Sequence, residues 1–186
     1  ACTTECPSNV NMALLKAELL HALHRRDGIP LRDRLVSNVD LLGRLGTILP
    51  GLSNAVIKMP AVRKLAERIL GFAAERPLPA FGAHRFDRWF AKRRPLQAAS
   101  RGRVILWDDT FVRYHEPNIG MAAVSVLESA GFQVELLGGR ACCGRPAFSV
   151  GCLDTARGNG IRNIELLKDG KDPILFLEPS CYSMFA

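Results

Sequence analysis

The chain has no apolar stretch approaching the ~20 residues that a membrane span requires. Its first residues, ACTTECPSNV, contain neither a basic segment nor an apolar one, which excludes a secretion signal there. They also lack an initial methionine, so residue 1 is expected to be an interior position of a longer polypeptide. There is no G-x-G-x-x-G, no P-loop and no G-x-S-x-G, which leaves nucleotide binding and serine hydrolysis without support. Cysteine is scarce, with six in 186 residues lying in two groups far apart. That is too few for a disulfide-stapled secreted scaffold, and grouped cysteines without a secretion signal point instead to metal or redox chemistry.

What is present is the composition of a globular protein: 48% of residues are apolar and 23% charged, in a chain long enough for one large domain or two small ones. The net charge of +7 is compatible with an acidic partner but names none. Much of the basic excess lies in FGAHRFDRWFAKRRPLQAASRGR (81–103). Phe86, Trp89 and Phe90 fall there at i, i+3 and i+4, which predicts a helix docked by its aromatic stripe with a solvated basic face. A nucleic-acid surface would keep those rings exposed for base stacking, so no nucleic-acid partner is expected.

The half before this region reads as helical. NVNMALLKAELLHALHRR (9–26) stops before Gly28 and Pro30, LRDRLVSNVDLLGRLGTILP (31–50) has helical spacing, and PAVRKLAERILGFAAERP (60–77) is bounded by prolines. Val62, Leu65, Ala66 and Ile69 share one face of the last. His21 and His24 lie three apart on the first helix, but no third ligand is near, and they are read as ordinary histidines. No internal repeat is present.

From Gly102 the pattern changes to RVILW (103–107), a helix over 116–131, FQVELL (132–137), a mostly helical stretch over 152–170, and PILFL (173–177). Strand, helix, strand, helix, strand predicts parallel pairing with crossover helices. The loops after parallel strands gather along one edge, where open α/β sheets place their ligands. DDTF (108–111), GGRACCG (138–144) and EPSC (178–181) therefore meet, which brings Cys142 and Cys143 to Cys181. Gly144 permits a positive-φ turn beside the paired thiols. Arg145 and the helix start behind it are expected to favour thiolate, the form that binds soft metals and iron–sulfur clusters. Cys152 is read as a small core residue.

The N-terminal Cys2-x-x-x-Cys6-Pro7 matches the closing half of the ferredoxin run C-x2-C-x2-C-x3-C-P. Two thiolates cannot assemble a four-thiolate cluster alone.

Together, ECPSNVNMALLKAE, ERPLPAFGAHRFDRWF, DDTFVRYHEPNIGMAAVSVLESAGF, CCGRPAFSVGCLDTAR and LEPSC resemble the iron–sulfur proteins that carry a cysteine-rich CCG domain. These include glycolate oxidase iron–sulfur subunits, the B subunit of heterodisulfide reductase and lactate-utilisation proteins. The match is closest to the fused branch, in which an FAD-linked D-lactate or D-2-hydroxyacid dehydrogenase runs into a ferredoxin-type segment and then a CCG domain.

The resemblance implies an α/β fold: a short parallel sheet with flanking helices, half of a CCG domain, preceded by an α-helical region. Residues 1–30 would be the remnant of a ferredoxin-like 4Fe-4S segment, 31–101 a helical connecting region, and 102–186 a truncated CCG domain. It implies a flavin-linked oxidoreductase, inactive as this piece alone, that relays electrons from FAD in an absent domain through iron–sulfur centres to a quinone or carrier protein. The flavin-dependent dehydrogenase domain would lie on the same or another chain, in the cytoplasm or at the inner membrane surface. Cys2 and Cys6 would be ligands of the 4Fe-4S cluster, and Cys142, Cys143 and Cys181 ligands of the CCG site.

Two thiolates of the family pattern are missing: Thr110 stands where the family has a cysteine after the first strand, and Glu178 replaces the first cysteine of Cys-Pro-Ser-Cys. Asp109 and Glu178 with three thiolates would suit zinc better than a cubane cluster. The alternatives are therefore a zinc-binding or metal-free docking domain, or thiol–disulfide chemistry at a vicinal Cys142–Cys143 pair.

Overall fold

The computed structural model describes residues 10–94 and 100–185. Helix α1 spans Met12–Asp27, where the Asn11 side chain accepts from the Leu14 N–H at 3.1 Å and Gly28 closes the last turn at φ +87°. The sequence 31–50 forms two helices rather than one, α2 (Leu31–Ser37) and α3 (Val39–Gly46). They divide at Asn38, whose side-chain amide donates to the Arg34 carbonyl at 2.8 Å and competes with continuation of the helix. Pro50 and Pro60 then occupy the first positions of α4 (Pro50–Lys58) and α5 (Pro60–Leu70), where a missing N–H costs nothing. Helix α4 was not anticipated, and α5 stops at Gly71 instead of running to Pro77.

Helix α6 (Phe86–Lys92) bears out the docked aromatic stripe. Phe86 is fully buried and stacks with Trp89 at 5.7 Å, while Arg93 lies over the Phe90 ring and pairs with Glu128 at 2.7 Å.

The second half is the expected parallel sheet: β1 (Arg103–Trp107), α7 (Thr110–Tyr114), α8 (Pro117–Ser129), β2 (Gln133–Leu136), α9 (Arg145–Ser149), α10 (Leu153–Leu167), β3 (Ile174–Phe176) and α11 (Pro179–Tyr182). The strand order is β2-β1-β3, with Ile105 paired to Glu135 on one side and to Ile174 on the other. The central strand is buried on both faces at Val104, Leu106 and Trp107, as a parallel strand between helices requires. Val104, Leu106 and Val134 pack with Phe86, Val112 and Val124 to form the main core. Because the chain leaves β1 for one neighbour and later reaches the other, the loops after β1 and β3 diverge, and a crevice opens at the carboxyl end of the sheet.

The helical half is held against the sheet half by specific contacts. His21 Nδ1 meets the Gly151 carbonyl at 3.2 Å, and the Tyr114 hydroxyl donates to Asp40 at 3.3 Å. No helix among the described residues is long and apolar enough to cross a membrane.

Gly120 marks a tight join in the core. A Cβ there would lie 2.6 Å from both the Phe86 ring and a Val112 methyl. Gly120→Ala is expected to destabilise the protein by about 1–3 kcal/mol, the usual cost of overpacking. Urea unfolding should show this as a lower midpoint at unchanged slope.

Candidate functional site

The crevice is built from three loop ends. After β1, Asp109 caps α7: one carboxylate oxygen accepts from the N–H groups of Phe111 and Val112 at 2.8 and 3.2 Å. After β2, the loop bearing Cys142 and Cys143 turns into α9 through Gly144 at φ +91°, where a Cβ would press on the Ala156 carbonyl at 3.2 Å. After β3, Glu178 caps α11 by accepting from the Ser180 N–H at 3.2 Å, and Cys181 projects from that helix.

Cys142, Cys143 and Cys181 share one buried cluster with Trp107. The Cys143 and Cys181 sulfurs are 3.1 Å apart, and the Thr110 hydroxyl lies 3.8 Å from the Cys142 sulfur. Residues 38 positions apart thus touch, as the parallel topology requires. Phe185 meets Trp107 edge-on at 4.8 Å and covers the cluster.

Behind the thiols lies a network of buried charge. Asp108 accepts two hydrogen bonds from Arg113, at 2.6 and 2.8 Å, and one from Arg140 at 3.2 Å. Arg140 also donates to the Asp108 carbonyl and to Asp40 at 3.1 Å, and its guanidinium lies over the Trp107 ring. The other Asp40 oxygen accepts from the Tyr114 hydroxyl at 3.3 Å. Asn163, buried in α10, brackets Cys142: its carbonyl accepts from the Ala141 N–H at 2.9 Å and its amide donates to the Cys142 carbonyl at 3.2 Å.

Contact between sulfurs and burial together decide the protonation of the paired thiols. Cys142 is raised well above the ordinary thiol value, first by its hydrogen bond with Cys143 and then by desolvation. Cys143 is pushed up to about 11: its bond with Cys142 pulls the value down, but contact with Cys181 and burial outweigh that pull. The expectation that Arg145 would hold these residues as thiolates is corrected. Its backbone N–H does favour the Cys143 thiolate, yet removal from water and the neighbouring sulfurs win. Burial, aided by Glu178, also raises the Asp109 carboxyl against the pull of its two backbone donors and Arg140.

The donor set can be tested against a metal group. Three sulfurs are one short of the four thiolates a cubane takes, so the residues present do not fit a four-thiolate cluster. Their softness does fit a single tetrahedral cation, with a free carboxylate oxygen of Asp109 or Glu178 as the fourth donor. Among the described residues no group of three or more Cys, His, Asp or Glu already stands in metal-binding arrangement, so loading would require the sulfurs to draw together. The indole N–H of Trp107 is buried without a partner among the described residues, leaving one donor unspent within the cluster.

The other expected residues lie elsewhere. Cys2 and Cys6 fall outside the described residues. Cys152 packs against Ala147 and Ala156, away from the trio. His21 and His24 make separate contacts, with Gly151 and Asp33.

Sequence reasoning missed Arg140, Asp40 and Asn163. Asn163 did leave a signal, because it falls seven residues after Ala156, on the same buried helical face.

The cysteines open onto a cleft of about 560 Å³ between the two halves of the molecule. Val36, Leu42, Leu70, Phe72 and Phe81 line its far end, and Arg140, Arg145, Glu178 and the thiols its near end.

A parallel α/β sheet with paired cysteines and a following glycine at one strand end, and a third cysteine at the next, defines a cysteine-rich α/β domain. Residues 110–186 match the cysteine-rich domain of the CCG family. The chain is 31% identical over 139 residues to the C subunit of anaerobic glycerol-3-phosphate dehydrogenase from Escherichia coli K12, covering 75% of this chain and 35% of that protein. It is 30% identical over 148 residues to D-2-hydroxyglutarate dehydrogenase of the same organism, covering 74% and 14%. It is 34% identical over 83 residues to lactate utilization protein A of Bacillus cytotoxicus, covering 45% and 34%. The chain therefore spans about a third or less of the length of these relatives. No solved structure matches it.

Replacing Arg140 by methionine keeps volume but leaves Asp40 and part of Asp108 uncompensated. A loss of about 3–5 kcal/mol is expected, the cost of breaking a buried ion pair from one side. Chemical denaturation would measure it, and Asp40→Asn should cost less because Asp40 is partly exposed.

Proposed function

We propose that this chain is the electron-transfer part of a flavin-linked dehydrogenase acting on a 2-hydroxy acid of the D-lactate or glycolate type. In this reading FAD sits in a dehydrogenase domain on the same or another chain. Electrons leave it through iron–sulfur centres, one of them a 4Fe-4S cluster held in part by Cys2 and Cys6, toward a quinone or carrier protein. Residues 1–30 belong to the ferredoxin-like segment, 31–101 connect, and 102–186 form the CCG part. The protein works in the cytoplasm or at the inner membrane surface.

The observation that carries this reading is the convergence of Cys142, Cys143 and Cys181 at the ligand-binding edge of a parallel sheet. The printed names of the relatives support it: two are dehydrogenases or dehydrogenase subunits, and one is a lactate-utilisation protein.

A second reading has its own observation. The trio lacks a fourth thiol, and Asp109 and Glu178 already serve as helix caps. A non-catalytic domain, held by zinc or by no metal, that mates the dehydrogenase to a partner accounts for this equally.

Metal analysis and visible absorption on anaerobically purified full-length protein separate the two. Electron relay predicts iron and thiolate-to-iron absorption, with Cys143→Ser lowering metal content by one equivalent. A colourless protein with stoichiometric zinc would end relay by the CCG site and leave the docking reading standing.

A further inference from the structure

We infer that Cys143 and Cys181 form a reversible disulfide, a cross-link between the loop after β2 and the helix after β3. Their sulfurs are already 3.1 Å apart, and a disulfide of ~2.05 Å needs only about 1 Å of closure. All four described cysteines are free thiols. The adjacent pair Cys142–Cys143 is the poorer candidate. Disulfides ordinarily join residues whose Cα atoms are ~4.4–6.8 Å apart, whereas neighbours in the chain sit at ~3.8 Å. Cys142 is also held in place by Asn163 on its backbone and has the Thr110 hydroxyl beside its sulfur.

Access comes through the cleft, because Cys143 and Cys181 both line it. The oxidant is a low-molecular-weight disulfide of the glutathione class. One protein thiol loses its proton to solvent and attacks a sulfur of the oxidant, forming a mixed disulfide and releasing one small thiol. The second protein thiol then loses its proton and attacks the protein sulfur of that mixed disulfide. The Cys143–Cys181 bond forms and the second small thiol departs. Two electrons pass from the protein sulfurs to the oxidant, which leaves as two thiols.

The cross-link would consume two of the three sulfurs a soft cation could use. Oxidation and metal loading of this site are therefore mutually exclusive. The inference goes beyond the electron-transfer reading and does not require it.

The test uses full-length protein stripped of metal by a chelator and exposed to oxidised glutathione. Non-reducing tryptic mapping should join the peptide 141–157 to the peptide that begins at Asp172, with loss of two hydrogens. Since Cys142 and Cys152 share the first peptide, the double variant Cys142→Ser/Cys152→Ser should still cross-link, and Cys181→Ser should not. Reductant should restore both thiols. A Cys142–Cys143 bond instead, a cross-link that persists in Cys143→Ser, or unmodified thiols in the wild-type protein would each overturn the assignment. Zinc added before the oxidant should block the cross-link in a protein that binds zinc. Metal analysis reports separately on the electron-transfer reading, so either idea can fail alone.

Discussion

Asp108 is a carboxylate almost wholly removed from water at the end of the central strand, and the surrounding structure depends on how its charge is met. Two guanidinium groups share it: Arg113 from the helix that follows β1, and Arg140 from the loop that follows β2. A buried ion pair is weak evidence for stability, because desolvation offsets much of the Coulomb gain. Its value here is geometric. Arg140 reaches Asp108 and Asp40 at once, so three separate chain segments have only one mutual arrangement in which no charge is stranded. That arrangement places Cys142 and Cys143 two and three residues beyond Arg140, over Trp107.

The thiols themselves lie in a compromise between packing and reactivity. Clustered sulfurs pack well against Trp107, Phe176 and Phe185, and contact between sulfurs together with burial keeps Cys142 and Cys143 protonated. A metal would have to displace those protons and draw the sulfurs together, so its affinity should depend steeply on pH. Asn163 limits the freedom of this motion by holding the backbone on both sides of Cys142. Cys181 is the more adaptable partner, since it sits on a single-turn helix capped by Glu178 near the end of the described chain.

Much of this was legible in the sequence. Three short apolar strands alternating with helices were enough for the parallel sheet, and the sheet was enough for the meeting of the cysteines. Phe86, Trp89 and Phe90 announced a packed helix through their spacing alone. What escaped was set by tertiary context. The break at Asn38 depends on a side chain finding its own backbone, and α4 on prolines that look like interruptions but serve as first helical residues. The tie between Asp40 and Arg140 joins residues 100 positions apart and leaves no local pattern. The protonation of Cys143 was misjudged because a nearby arginine is visible in sequence, whereas the contact with Cys181 and the depth of burial are not.

The two further thiolates that the family resemblance leads one to expect have a structural counterpart in carboxylates at those places, Glu178 at one and Asp109 beside Thr110 at the other. The two carboxylates hold corresponding positions, each opening a short helix at a strand end and each accepting from backbone N–H groups. A carboxylate at such a place satisfies donors that would otherwise be stranded, and it does so without any metal. Each also keeps a second oxygen for a cation. These caps hold the loops after β1 and β3 through backbone hydrogen bonds of their own. The loop after β2 and the helix after β3 then bring the sulfurs of Cys143 and Cys181 to 3.1 Å of each other at the cleft.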